Sequence, residues 1–218
     1  MTKGIVFFDL DNTLLNADTK LDNEVADAMS QLRQNDIVPV ISSGRNIFEI
    51  QTIMDKAAID TVVSANGSYV INHGQPIYES KITDEQIERF SKIATEHGNS
   101  FVVLNDQTSR LNKFTQMAQN AFDNDFTFYR NTPFSMDVVA QGVSLIVGII
   151  KLLELPEYSD VPTYAFGDGN NDIAMLEAVD HPVAMGNALP HVKPYAEFVT
   201  TNNTNHGIVN GLKHFKLI

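Results

Sequence analysis

Short apolar runs alternate with amphipathic stretches along the first 65 residues. Ile5 to Phe8 is an unbroken apolar run, the pattern of a strand buried on both faces. Asp22 and Asn23 offer helix caps, and Val25, Ala28, Met29 and Leu32 then recur at helical spacing. Ile37 to Ile41 reads as a second strand, although Pro39 removes one ladder donor. Ile47, Ile50, Ile53 and Met54 form the inward face of a second helix, and Thr61 to Ala65 a third strand. Strand and helix in alternation predict a doubly wound α/β domain with a parallel sheet. Tyr69 to Ile71 and Pro76 to Tyr78 flank Asn72-His73-Gly74-Gln75, a pattern that predicts a hairpin.

The pattern changes after residue 80. Thr83-Asp84-Glu85-Gln86 has capping-box spacing ahead of a helix bearing Ile87, Phe90, Ile93 and Ala94. Phe101 to Leu104, Phe126 to Tyr129 and Met136 to Val139 read as strands. A helix is expected around Lys113 to Phe122, in a stretch (105 to 135) with little clear period. The doubly wound pattern resumes with a helix over Ser144 to Leu153 and a strand over Thr163 to Phe166. A helix carrying Ile173, Met175 and Leu176 follows, then short strands over Pro182 to Met185 and Phe198 to Thr200. The expected organisation is a discontinuous core, residues 1–80 and 142–218, with a small α+β insert at 81–141.

The chain has 218 residues, 43% of them hydrophobic, enough for a substantial core. Its net charge of −12 argues against a nucleic-acid groove or an anionic membrane as partner. With no cysteine there is no disulfide frame, thiolate nucleophile or cysteine zinc site. No apolar run approaches the roughly 18 residues of a membrane span. The start of the chain shows no leader-like series, so a cytoplasmic protein, monomer or homodimer, is the expectation.

Candidate chemistry gathers where the strands end. Asp9 and Asp11 follow the first strand, Ser43 and Gly44 the second, Asn66 and Gly67 the third, and Asp168 to Asp172 the strand at Thr163 to Phe166. In a parallel sheet these ends share one edge, where such folds bind ligands. Buried carboxylates are costly unless paired or bound to a metal. Asp9 and Asp11 therefore read as sharing a hard cation with Asp168, against the plainer reading of turn or capping aspartates. Three carboxylates around one point suit Mg²⁺, with Asp172, one helical turn from Asp168, in direct or supporting contact. Ser43 and the N–H of Gly44 would hold phosphate oxygens beside a helix N-terminus. A carboxylate is a competent nucleophile toward phosphorus, and a second one two residues on can serve as acid and base. Asp168, Asn170 and Asp172 mimic the start of an EF-hand loop, but Ile173 and Val179 stand where that loop needs Gly and Glu. No Gly-Lys pair makes a Walker-type loop, and the six histidines do not pair at metal-ligand spacing.

Taken together, Asp-x-Asp-x-Thr, Ser-Gly-Arg, Asn-Gly and Gly-Asp-Gly-x-Asn-Asp-x-x-Met-Leu, in that order, resemble the Cof-type branch of the haloacid dehalogenase superfamily of phosphatases. Ala184-Met185-Gly186-Asn187-Ala188 and His206-Gly207-Ile208 look like the same branch. The resemblance implies that Asp9 is the nucleophile and a Mg²⁺ ligand. Asp11 would be the general acid/base, with its backbone carbonyl on the metal. Ser43 would bind the transferring phosphoryl group, helped by backbone groups of Leu10 and Gly44, and Asn171 would reach the phosphate. Asp168 and Asp172 would complete the metal site, Arg45, Asn66 and Gly67 would lie near the substrate, and the insert would be a cap that selects the leaving group. A small phosphorylated metabolite is the implied partner.

Two features depart from the family pattern. Gly142-Val143-Ser144-Leu145 places Leu145 where the resemblance implies a lysine, and loss of such a charge can cost on the order of 100-fold in rate. Lys151 lies about 240° further round the helix; Arg110 or Lys113 from the insert are the candidate replacements. The insert is also short for this branch. Three functions follow: a Mg²⁺-dependent phosphatase of sugar-phosphate-like monoesters, an impaired phosphate-ester-binding or regulatory protein, and a mutase or phosphotransferase.

Overall fold

A computed structural model describes residues 1–96, 103–104, 109–110, 126–132 and 135–218. Eight strands form one sheet in the order β12-β11-β10-β1-β2-β3-β4-β5. They are β1 (Gly4–Phe8), β2 (Ile37–Ser42), β3 (Val62–Ser64), β4 (Tyr69–Asn72), β5 (Gln75–Glu79), β10 (Thr163–Gly167), β11 (His181–Ala184) and β12 (Phe198–Val199). The six from β12 to β3 run parallel, and β4 and β5 add an antiparallel hairpin at the edge. The hairpin turns through His73 and Gly74, both at positive φ, the geometry a tight two-residue turn requires.

The continuous apolar runs are explained by helices on both faces. Val6, Phe8, Ile41 and Phe166 pack against α1 (Asn23–Gln34), α2 (Ile47–Ala57) and α6 (Gly207–His214). Ile5, Phe7, Val40 and Ala165 pack against α4 (Leu145–Leu153) and α5 (Ile173–Glu177). Burying each of Phe7, Phe8 and Phe166 completely contributes about 1.5–3 kcal/mol. The helical faces read from the sequence are the buried ones: Val25, Ala28, Met29 and Leu32 in α1, and Ile47, Ile50 and Met54 in α2.

Pro39 sits inside a central strand without breaking it. Val6 of β1 lies opposite Pro39, whereas β3 pairs only with Ile41 and Ser42. The backbone N–H groups of Ile41 and Ser43 point toward β3. Two residues earlier, the missing donor of Pro39 faces a side where no ladder has begun. Asp22 occupies the N-cap position of α1, but its carboxylate accepts from Asn16 Nδ2 at 2.8 Å rather than from the helix.

Between β5 and α4 lie α3 (Asp84–Glu96), the paired β6 (Val103–Leu104) and β7 (Ser109–Arg110), and the hairpin β8 (Phe126–Thr132) with β9 (Ser135–Ala140). The capping box of α3 forms: Gln86 N donates to Thr83 Oγ1 at 3.2 Å, and Thr83 N to Gln86 Oε1 at 2.9 Å. Phe90, Ala94 and Phe126 make a small core of their own, with the two rings edge to face at 5.7 Å. The helix expected around Lys113 to Phe122 lies outside the described residues, as does the side chain of Arg110.

Candidate active site

Parallel pairing of β1 with β10 places the residues that follow them side by side. Asp9 N still donates to Phe166 O, so Asp9 is the last residue held by the sheet. The chain then makes a wide turn over Leu10–Leu14, with Asn12 in the left-handed region, closed by Leu14 N on Asp9 O and Leu15 N on Leu10 O. Asp168 follows β10 directly, and one turn later Asp172 folds back beneath it. Asp172 Oδ2 accepts the N–H groups of Asp168 and Gly169, both at 2.8 Å. Only glycine fits at 167, since a Cβ there would lie 2.5 Å from the Asp172 Cβ.

Carboxylate oxygens of Asp9, Asp168 and Asp172 come within 4.8 Å of one another. Asp9 is 5% exposed and Asp172 fully buried. Burial holds the Asp9 carboxyl well above the ordinary range, the neighbouring Asp172 adds to that, and a backbone hydrogen bond from Leu10 opposes it. Burial also pushes Asp168 up to about 6, against a hydrogen bond from Thr13 Oγ1 at 3.3 Å. Asp172 is pushed to about 6 by burial, against its two backbone hydrogen bonds. Three crowded, largely dehydrated carboxylates favour either a proton or a cation among them. An all-oxygen donor set of this kind fits a hard divalent ion.

Asp11 corrects part of the expectation. Its carboxylate is exposed and stands outside the three-carboxylate cluster. The left-handed turn at Asn12 sends it toward the neighbouring loop, where the Arg45 guanidinium takes both its oxygens, Nε at 3.0 Å from Oδ2 and Nη2 on Oδ1.

The second and third strand ends meet each other. Ser43 is 2% exposed; its N–H donates to Val63 O and its Oγ accepts the N–H of Arg45. Gly44 lies against Asn66, whose Oδ1 would be 3.0 Å from a Cβ at 44. Asn66 Nδ2 donates to Asp137 Oδ2 of β9 at 3.0 Å, so the insert reaches this edge of the sheet. Gly67 (φ +87°) leaves no room for a side chain: a Cβ would lie 1.9 Å from Ser144 O. That contact seats the Asn66–Gly67 turn on the first turn of α4, where Ser144 is the N-cap and accepts from Val147 N. Leu145 follows, 5% exposed and packed in the apolar layer with Val63 and Ile149. Lys151 is engaged on the surface with Glu154 at 2.9 Å. Asn171 is exposed beside Asp172, its Nδ2 3.4 Å from Oδ1.

Three contributors had no role assigned from the sequence. Asn187 Nδ2 donates to Asn12 O at 2.8 Å and its Oδ1 accepts from Asn203 N, while Asn203 Nδ2 donates to Leu15 O at 2.9 Å. This pair braces the Asp9–Leu15 loop from outside. Asn187 lies just past β11, so the strand-end rule extended by one strand points to it. Asp137 carried no such signal, because nothing in an irregular insert tells which residue faces the core.

A doubly wound sheet that gathers three carboxylates at adjacent strand ends carries an oxygen donor set able to hold a divalent cation. The family model for haloacid dehalogenase-like hydrolases matches residues 6–114 and 99–212, and the chain belongs to that family. YkrA of Bacillus subtilis (strain 168) is 27% identical over 256 aligned positions covering all of both chains. That alignment is longer than this chain's 218 residues, so YkrA carries segments absent here. The 5-amino-6-(5-phospho-D-ribitylamino)uracil phosphatase YcsE of the same organism is 23% identical, covering 98% of this chain and 96% of its own. A solved structure from Geobacillus kaustophilus HTA426 superimposes with a TM-score of 0.89 at 29% identity, covering 98% of this chain and 99% of its own.

Proposed function

We propose that this phosphatase hydrolyses phosphoric monoesters of small metabolites, sugar phosphates or phosphorylated polyols, with Mg²⁺, through a phosphoaspartate on Asp9. The buried cluster of Asp9, Asp168 and Asp172 beside the Ser43-Gly44 loop carries this reading. YcsE, a phosphatase of a phosphorylated ribityl compound, supports the substrate class. Mg²⁺, held by Asp9, Asp168, Asp172 and the Asp11 backbone carbonyl, would offset carboxylate repulsion and polarise a phosphoryl oxygen. Ser43, the N–H groups of Leu10 and Gly44, and Asn171 orient the phosphoryl group. An Asp9 oxygen attacks phosphorus as the ester P–O bond breaks, and Asp11 supplies the proton to the departing oxygen. Asp11 then takes a proton from the water that hydrolyses the phosphoaspartate. Residues 81–141 act as the cap over a core of 1–80 and 142–218. Among the described residues no helix is long and apolar enough to cross a membrane, and we place the enzyme in the cytoplasm.

The buried Leu145 favours a second reading, a phosphate-ester-binding protein with little turnover. Phosphate release from p-nitrophenyl phosphate and a panel of sugar phosphates, with and without Mg²⁺, separates the two. Turnover that Asp9→Asn abolishes supports the phosphatase mechanism. Undiminished turnover in Asp9→Asn removes Asp9 as nucleophile, and ester binding without turnover selects the second reading.

A further inference from the structure

The substrate of such a site is a dianion, yet three carboxylates crowd it and a fourth stands at its mouth. Among the described side chains, Leu145 is sealed in the apolar layer, Lys151 lies on Glu154, and Lys193 Nζ donates to Gly186 O at 2.7 Å; those of Arg110 and Lys113 lie outside them. Arg45 is placed differently. Its N–H is tied to Ser43 Oγ at 3.2 Å and its carbonyl accepts from Ala65 N at 2.9 Å, so its backbone is clamped between the second and third strand-end loops. Its side chain is 30% exposed and rests on a carboxylate that is itself 50% exposed. The pair is bidentate, but water reaches both partners and screens it, so a competing dianion can draw the guanidinium away. A guanidinium fork binds phosphate oxygens with the geometry it uses for a carboxylate, and a phosphoryl group brings a second negative charge.

We propose that Arg45 is the phosphoryl-binding cation of this enzyme, and that it exchanges Asp11 for the phosphoryl group when the ester binds. The exchange requires only a side-chain swing about a fixed backbone. It also frees both oxygens of Asp11, so Asp11 cannot serve the leaving group until a phosphoryl group has taken Arg45 away. The idea rests on the phosphatase reading for its catalytic consequence, but its binding half stands on its own.

The test measures calorimetric binding of inorganic phosphate to the full chain, with Mg²⁺ and without it, alongside turnover of p-nitrophenyl phosphate. Arg45→Ala should weaken phosphate binding at least about 10-fold, and Arg45→Lys should lie between it and wild type. Asp11→Asn should bind phosphate at least as tightly as wild type, because the competing carboxylate charge is gone. Added guanidinium should restore part of the turnover of Arg45→Ala and none in wild type. A purely structural ion pair predicts instead that Arg45→Ala and Asp11→Asn lower thermal stability alike and leave phosphate affinity unchanged. Unchanged affinity in Arg45→Ala overturns the proposal, as does equal weakening in both variants. Phosphate binding that follows Arg45 without any ester turnover upholds the binding role and rejects the phosphatase reading instead.

Discussion

The two halves of the site solve opposite electrostatic problems. On one side Asp9, Asp168 and Asp172 are buried and pushed upward in pKa, their charges concentrated for a cation. On the other, Ser43, Gly44 and Asn66, the proposed phosphoryl-binding groups, gather at the neighbouring strand ends beside Arg45, which stays half-exposed. The acidic half is rigid: Asp172 is locked by two backbone N–H groups and Asp168 by Thr13. The basic half is adjustable, with its one ion pair at the surface.

Breaking the acidic half should have the largest effect. Asp9→Asn removes the proposed nucleophile and should lower kcat by about 10³-fold or more, read by phosphate release. Asp168→Asn should lower turnover at saturating substrate by on the order of 10²-fold and shift the Mg²⁺ dependence to higher concentration, read by metal titration.

Stability against pH sharpens the same comparison. Asp168 and Asp172 titrate near 6 in the folded chain against an ordinary value of 3.8. Between those values the folded chain holds protons that the unfolded chain has lost, so metal-free stability falls as pH rises through that window. A divalent cation stabilises the ionised carboxylates. Saturating Mg²⁺ should therefore raise Tm by about 5 °C at pH 7.5 and by much less at pH 4.5, measured by thermal denaturation.

Leu145→Lys tests the boundary between the two halves. The side chain is enclosed by apolar neighbours, so a lysine there gives up packing and solvation. Tm should fall by roughly 5 °C, and if Arg45 serves the phosphoryl group, turnover should rise less than about 10-fold. A large activation would mean that this corner, and not Arg45, sets the charge of the site. Thr13→Val should have the smallest effect: loss of one hydrogen bond worth about 1 kcal/mol to Asp168, with a few-fold weaker Mg²⁺ response.

The parallel core was legible because its strands are buried on both faces and favour unbroken apolar runs, as Ile5–Phe8 is. The strand-end motifs were legible for the same reason, since two aspartates directly after such a run stand out against it. The insert was less so. Its stretch 105 to 135 carries little clear period, and among the described residues its buried cluster is Phe90, Ala94 and Phe126. Asp137 was invisible in its role because it acts through a partner more than 70 residues away, Asn66, with no strand-end position to mark it.

Sequence alone determined the doubly wound core, the strand ends where chemistry collects and the four candidate aspartates Asp9, Asp11, Asp168 and Asp172, because burial and spacing within one strand or turn are local properties. Tertiary structure alone decided that the carboxylate of Asp11 leaves that cluster for Arg45, that Leu145 faces an apolar layer and that Asn187 and Asn203 brace the nucleophile loop. Each of these depends on which loops the sheet order brings together, and a hydrogen bond or ion pair forms only when both partners arrive within about 3 Å.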